Sequence, residues 1–106
     1  MLDEQRIEQS SKIIRELIAE GKIIKPKIGQ ADFFLNQSHK TLLVAQRLLT
    51  LYEQEKIDTH LWVINTSYYA MFFQATALLA FHNHKINSEI GIHKLTFHAL
   101  VHYFIS

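Results

Sequence analysis

Residues 62–81 read WVINTSYYAMFFQATALLAF and contain no Asp, Glu, Lys or Arg. Two stripes with a spacing of three and four residues run along this stretch, which is the spacing of an α-helix. The first stripe is large and apolar and comprises Leu61, Ile64, Tyr68, Met71, Phe72, Ala75, Leu78 and Leu79. The second is mostly small and comprises Val63, Ser67, Ala70, Gln74, Ala77 and Phe81. We therefore predict a central helix that is enclosed on several sides and whose small stripe meets a partner helix.

The length of this uncharged stretch also meets the criterion for a helix that spans a membrane. Five polar residues interrupt it, namely Asn65, Thr66, Ser67, Gln74 and Thr76. The neighbouring amphipathic segments also need an apolar partner to cover their own stripes. The sequence therefore favours a buried helix in a protein without a membrane span.

The composition is that of one globular domain without a strong charge. The chain has 106 residues, of which 48% are hydrophobic and 20% charged, and its formal net charge is +1. This balance is typical of a folded domain and creates no global attraction to nucleic acid or to a membrane. No cysteine is present, which excludes disulfides and thiolate chemistry. The N-terminal residues MLDEQR lack the features of a secretory signal, and we expect a cytoplasmic protein.

Apolar periodicity predicts an all-α fold, an up-and-down bundle of about four helices with short connections. The first helix covers about 3–20 and stops at Gly21, and the second covers about 30–55. The central helix starts after an N-cap at Asp58 or Thr59 and continues to about residue 82. The fourth helix runs to the end of the sequence, either from Glu89 with Ser88 as N-cap or from nearer Ile92, because Gly91 weakens the first turn.

Two connecting segments show no convincing strand pattern. Residues 22–29 contain Pro26 and three lysines, which favours a solvated linker, and residues 84–87 read as a short turn. The second helix is expected to bury Ala31, Phe34, Leu35, Ser38, Leu42, Ala45, Leu48, Leu49 and Tyr52. The fourth helix is expected to bury Ile90, Phe97, Val101 and Phe104.

Two blocks of residues resemble the HEPN family (higher eukaryotes and prokaryotes nucleotide-binding domain), in particular its small prokaryotic members. The first block is SYYAMF at 67–72 with ATALL at 75–79, which resembles the central helix of the family. The second is His93-Lys94 with Leu100 and the ending YFI at 103–105. The resemblance covers about 30–105, so that the single domain of residues 1–106 divides into an N-terminal helix and linker (1–29) and a HEPN-like core (30–106).

The resemblance implies a helical bundle, frequent homodimers, and a functional range from nucleotide or RNA binding to metal-independent RNA cleavage in toxin–antitoxin and defence systems. HEPN ribonucleases carry an arginine separated from a histidine by four to six residues. The arginines of this chain are Arg6, Arg15 and Arg47, and none has a histidine at that separation. We therefore expect no catalytic residues of the HEPN type.

Family members of this kind usually continue into a further helix with an Arg and an Asp-Tyr pair, which this sequence lacks. The core is therefore expected to be shortened at its C-terminal end, either in a fragment or in a shortened natural protein. A face of the central or the fourth helix should then remain apolar and open. Because burial of apolar surface stabilises association, the sequence predicts a homodimer, one route to which is the exchange of helices.

Five residues are candidates for contact with a nucleotide or RNA, namely Tyr68, Tyr69, Lys85, His93 and Lys94. For His93 a structural role is favoured over ligand contact, because a neutral imidazole can donate to one group and accept from another and so tie its loop to the central helix.

The remaining histidines are weak candidates for chemistry. His98 and His102 lie four residues apart, a spacing that suits a metal ion, but the sequence supplies no third ligand nearby, and we expect interfacial imidazoles and no metal. His82 and His84 are expected to cap a helix end. With glycine only at Gly21, Gly29 and Gly91, no phosphate-binding loop exists and no cofactor is expected.

The sequence thus favours a HEPN-like module without the ribonuclease signature. It would act as a dimeric nucleotide-binding, RNA-binding or partner-binding component of a toxin–antitoxin or defence system. One alternative is a metal-independent ribonuclease that uses His93, Lys94, Tyr68 and Tyr69 in place of the usual residues. Another is a purely structural adaptor for a nucleotidyltransferase-type protein partner.

Overall fold

A computed structural model describes residues 3–106. Met1 and Leu2, the first two residues of the N-terminal stretch considered above, lie outside the described residues. The regular secondary structure of the described chain is helical except for two short strands. Its elements are α1 (Glu4–Ala19), β1 (Ile23–Ile24), α2 (Gln30–Glu55), α3 (His60–Phe81), β2 (Lys85–Ile86) and α4 (Ile92–Phe104). For residues 3–106 the prediction of an all-α fold with four helices is confirmed.

The ends of α1 follow from local hydrogen bonding. The Asp3 carboxylate accepts a bond from the Arg6 backbone N–H at 2.8 Å and so caps the first turn. After the helix, Gly21 has a φ of 73°, a conformation that glycine adopts without steric cost. The N–H groups of Gly21 and Lys22 donate to the carbonyls of Ile18 and Leu17 at 3.0 and 2.9 Å. This is a Schellman ending, so the predicted stop at Gly21 is confirmed.

The start of α4 corrects one prediction. The N-cap is Gly91, with a φ of 69° and no side-chain hydrogen bond. Ser88 does not cap the helix, because its hydroxyl donates to the Ile90 carbonyl at 3.2 Å within the preceding loop. The alternative start near Ile92 is therefore the one observed.

The helices α2 and α3 form a long helical hairpin with small residues between them. The buried residues of α2 are Ser38 and Ala45, and those of α3 include Ala70 and Ala77. Small side chains allow two helix backbones to approach closely. The prediction that the small stripe of α3 meets a partner helix is confirmed. The Thr59 hydroxyl donates a hydrogen bond to the Leu48 carbonyl at 2.6 Å, and this bond links the start of α3 to α2.

The core lies between α1 and α4. The end of α3 and the strand β2 also contribute side chains to it. Its buried apolar side chains are Ile14, Leu17, Leu79, Ile86 and Ala99. The first helix thus packs on α4, and the hairpin joins this pair through contacts of α3 with α4. The molecule therefore consists of two helix pairs, α1 with α4 and α2 with α3. The two pairs meet where α3 contacts α4.

The segments predicted as a linker and a turn pair with each other, which corrects that prediction. Strands β1 and β2 are antiparallel, with Ile23 opposite Ile86. The Asn87 N–H extends the pairing by donating to the Lys22 carbonyl at 2.7 Å. Each strand has two residues, which is too short for an alternating pattern to be visible in the sequence. Their pairing is favoured by the β-branched isoleucines, which also face the core.

The outer face of α3 is open, so the prediction that this helix is enclosed on several sides is wrong. Five large residues spaced three, four or seven apart form what we call the apolar stripe. They are exposed by 63% (Leu61), 54% (Ile64), 50% (Tyr68), 69% (Met71) and 43% (Leu78). The prediction of an open apolar face is confirmed, because α2 packs on another side of α3 and none of the described elements covers these five side chains.

Several residues that were expected to be buried are also exposed by 41% or more. They are Leu42, Leu49 and Tyr52 in α2, Ile90 before α4, and Phe97 and Phe104 in α4. Their periodicity is helical as predicted, but no described element covers them. Within residues 3–106, none of the helices combines the length and the apolar character that crossing a membrane requires.

Candidate functional site

Three of the five predicted contact residues meet on one side of α3. His93, in the first turn of α4, lies between the rings of Phe72 and Tyr68. Its ring stacks on Phe72 with centroids 4.0 Å apart and an interplanar angle of 19°. It lies parallel to the Tyr68 ring at 5.4 Å and edge-on to the Tyr69 ring at 5.7 Å. We call Tyr68, Tyr69, Phe72 and His93 the aromatic cluster.

One hydrogen bond links the two helices within this cluster. The Tyr68 hydroxyl and His93 Nδ1 are 3.0 Å apart. When the imidazole carries its proton on Nε2, the hydroxyl donates to Nδ1. This contact ties the start of α4 to α3, as the structural alternative for His93 predicted. Tyr68 and Tyr69 remain about half exposed, so the cluster offers ring faces to solvent.

The two predicted lysines do not join the aromatic cluster as a pair. Lys85 lies in β2 and lines a cavity that it shares with Phe72. Lys94 is exposed on α4, and its positive charge contributes to lowering the pKa of His98 on the same helix. The structure therefore places Lys85 in a cavity that Phe72 of the cluster also lines, whereas the charge of Lys94 acts on His98 of its own helix.

The cavity beside Lys85 was not visible in the sequence. It has a volume of about 330 Å³ and lies between the start of α2, the middle of α3, β2 and the start of α4. Its apolar walls are Phe34, Phe72, Leu79, Ile86 and Ile92. The loop before α4 contributes Asn87, Ser88 and Glu89 to its rim. These residues come from segments that were interpreted separately as a helix face, a turn and a helix start, and only the three-dimensional fold brings them together.

The histidines considered as metal ligands are used for hydrogen bonding between helices. His98 Nδ1 lies 2.8 Å from the Ser10 hydroxyl, and His102 Nδ1 lies 3.0 Å from the Ser11 hydroxyl. Both serines are buried, with 2% and 3% exposure. We call these the serine–histidine pairs. Within residues 3–106 no group of three or more His, Asp or Glu side chains is placed to hold a metal ion.

The other two histidines near the end of α3 contact aromatic rings. His84 stacks on Tyr103 with centroids 3.8 Å apart, and His82 meets Phe104 edge-on at 4.9 Å. Burial lowers the pKa of His84, and the nearby charges of His82 and His102 lower it further. Burial also raises the pKa of Tyr103. His82 is the C-cap residue of α3, as expected, and the backbone N–H groups of His82 and His84 donate to the Leu79 carbonyl at 3.1 and 2.9 Å. The imidazole rings themselves pack against α4.

We expect stability to fall on acidification, because the fold favours neutral His98 and His84. Burial is the main cause of the lowered pKa of His98, followed by the charge of Lys94. A histidine whose folded-state pKa lies below the ordinary value of about 6.5 stabilises the fold above that pH, and this contribution is lost as the pH falls through the folded-state pKa. Urea unfolding followed by circular dichroism should therefore show a lower midpoint at pH 5 than at pH 7.5.

The variant His98→Asn tests whether His98 contributes to this pH dependence, since an amide can keep a hydrogen bond to Ser10 but does not titrate. This variant should show a smaller difference between the urea midpoints at pH 5 and pH 7.5 than the wild type. His39→Asn changes an exposed histidine of α2 and should leave the difference unchanged. An equal pH dependence in the His98 variant and the wild type would show that this imidazole does not contribute.

The fold and these sites define a four-helix, all-α protein with an exposed aromatic cluster and an open apolar stripe. No family model, no curated protein and no solved structure matches the chain.

Proposed function

We propose that the chain is a HEPN-like helical module that works by assembly with a second copy of itself and by contact with RNA or a nucleotide, without catalysis of its own. The biological setting that belongs to this proposal is a toxin–antitoxin or defence system. The observation that carries it is the apolar stripe on a helix that contains no Asp, Glu, Lys or Arg.

The size of the stripe supports an interface. If each of its five side chains exposes roughly 100 Å², about half the area of a large side chain, the stripe offers roughly 500 Å². A stable interface buries about 800 Å² on each partner, and exposed Leu42 of α2 lies near Met71 at the edge of the stripe. The largest apolar patch of a typical monomer has a comparable size of about 300–600 Å² and is often functional.

A second copy is the occupant that the charge pattern favours. In a twofold dimer the same surface meets itself, so a charged residue on the twofold axis meets its own copy, and a surface with a net charge repels itself. The apolar stripe contains no charged side chain, and self-association therefore carries no such repulsion. Each stripe also supplies the apolar partner that the other needs.

Sedimentation analysis of the wild-type protein tests the assembly. We expect a species of twice the 12.4 kDa chain mass at micromolar concentration. A stable monomer at that concentration would contradict the homodimer. A monomer that forms a stoichiometric complex with a nucleotidyltransferase-type protein would instead support the alternative of a structural adaptor for such a partner.

The aromatic cluster supports the second half of the proposal. Proteins bind single-stranded RNA by stacking bases on aromatic rings beside cationic side chains. Tyr69 is 47% exposed, and its ring meets His93 edge-on. His93 in turn stacks on the Phe72 ring that borders the cavity of Lys85. With a net charge of only +1, binding would depend on stacking more than on phosphate contacts.

Binding of a fluorescently labelled single-stranded RNA, followed by anisotropy, tests this contact. Tyr69→Ala should weaken binding about 10-fold, because stacking contributes roughly 1–3 kcal/mol per base. Tyr52→Ala is a matched control, since Tyr52 is 45% exposed on α2 outside the aromatic cluster. Equal binding by both variants would contradict the role of the cluster. RNA cleavage by the wild type that is lost in His93→Ala would contradict the proposal of binding without catalysis and support the alternative of a metal-independent ribonuclease.

A further inference from the structure

We propose that the cavity between α2, α3, β2 and the start of α4 binds a small planar aromatic molecule that carries one carboxylate. This site is separate from the apolar stripe, and the inference does not depend on the proposed function.

The cavity has the size and the rigid walls of a small-molecule site. Its volume of about 330 Å³ lies within the range of about 300–1,000 Å³ of ligand pockets. Two of its wall residues belong to the core, with exposures of 3% for Leu79 and 8% for Ile86. Ile86 is held in place by its antiparallel pairing with Ile23. These walls are therefore set by the fold before any ligand arrives.

The interior favours an apolar, flat ligand. Phe34 from α2 and Phe72 from α3 bring two aromatic rings to the same cavity. The Phe72 ring is already supported by stacking on His93 at 4.0 Å, and aromatic pairs add to the free energy of area burial. The hydroxyls of Thr76 and Thr96 donate to the carbonyls of Phe72 and Ile92 in their own helices, at 2.9 and 2.7 Å. They therefore have no free proton to donate to a polar ligand.

The rim supplies one cation for one anionic group. Lys85 is partly buried, and it takes no part in the ion pairs Arg15–Glu8 and Lys22–Glu20 of the described chain. Glu89 also lines the cavity, but it is exposed to solvent and does not form an ion pair with Lys85, so Lys85 is the partly buried charge of the rim and has no carboxylate partner. The lowered pKa of His84, also at this rim, favours its neutral form. A single carboxylate on the ligand matches this charge, and a charge-assisted hydrogen bond to Lys85 would orient the ring.

Titration of the protein with naphthalene-2-carboxylate, followed by methyl NMR, tests the proposal. Saturable shifts are expected at the methyl groups of Leu79, Ile86 and Ile92. Lys85→Gln should weaken binding at least about 10-fold, whereas Lys94→Gln, which removes an exposed lysine outside the cavity, should not. The neutral analogue 2-naphthalenemethanol should bind the wild type more weakly by a similar factor, a comparison that requires no variant.

Non-specific binding to the apolar stripe would appear in different signals. Shifts centred on Leu61, Ile64 and Leu78, or no saturable shift at the cavity methyls, would overturn the site. Equal affinity of the wild type for the carboxylate and its neutral analogue would overturn the role of the single anion and hence the proposal as stated.

Discussion

Replacement of Ile14 by alanine is expected to lower the free energy of unfolding by about 2–5 kcal/mol. Ile14 has no exposed surface and lies in the core between α1 and α4. Its truncation removes buried apolar contacts and leaves a cavity that closely packed neighbours fill only in part. Because small domains are stable by only about 5–15 kcal/mol, the loss is a large fraction of the total. Urea unfolding followed by circular dichroism, at one fixed protein concentration, measures it.

Ile18→Ala is the matched control for this measurement. Ile18 lies one turn further along α1 and is 47% exposed, so the same truncation should cost less than about 1 kcal/mol. Equal destabilisation by both variants would mean that α1 does not bury Ile14 against α4 in the way described.

Replacement of Met71 by glutamate is expected to raise the dimer dissociation constant more than about 100-fold, which corresponds to about 2.8 kcal/mol. Met71 is the most exposed residue of the apolar stripe, at 69%. In a dimer that buries the stripe, each copy would place an unpaired carboxylate in an apolar interface, and the cost of removing such a group from water is large. Sedimentation equilibrium over a range of concentrations measures the change.

Leu43→Glu separates this effect from a general gain in charge. Leu43 is 65% exposed on α2 and does not belong to the apolar stripe. The control should keep the dissociation constant of the wild type, and both variants should remain helical because neither side chain is buried. If Leu43→Glu dissociates the dimer and Met71→Glu does not, the interface lies on α2 and the proposed one is wrong.

The helices could be predicted from local signals. Gly21, the helical period of 30–55 and the uncharged run of 62–81 determine where three helices lie, and the observed limits of α2 agree with the expected ones. The small stripe of α3 predicted its contact with another helix, because small side chains at helical spacing favour close approach. Such signals are properties of one segment at a time.

The contacts between distant segments could not be predicted in the same way. Ser10 and Ser11 lie 88 and 91 residues from their histidine partners, and no pattern within α1 indicates which helix it meets. The exposure of Met71 and Leu78 has the same origin, since an apolar helix face shows only that a partner is needed. For the aromatic cluster, the sequence resemblance selected Tyr68, Tyr69 and His93, whereas the part played by Phe72 required the three-dimensional arrangement.

The pairing of α1 with α4 also determines the order in which the molecule can form. The hairpin of α2 and α3 is built from contacts close in sequence, which form quickly, whereas docking of α1 on α4 must close a loop of about 90 residues and is slower. During synthesis α1 therefore emerges long before its partner. Until α4 has left the ribosome, Ile14 and Leu17 lack the helix against which the folded chain buries them, whereas both helices of the hairpin are already available to pair.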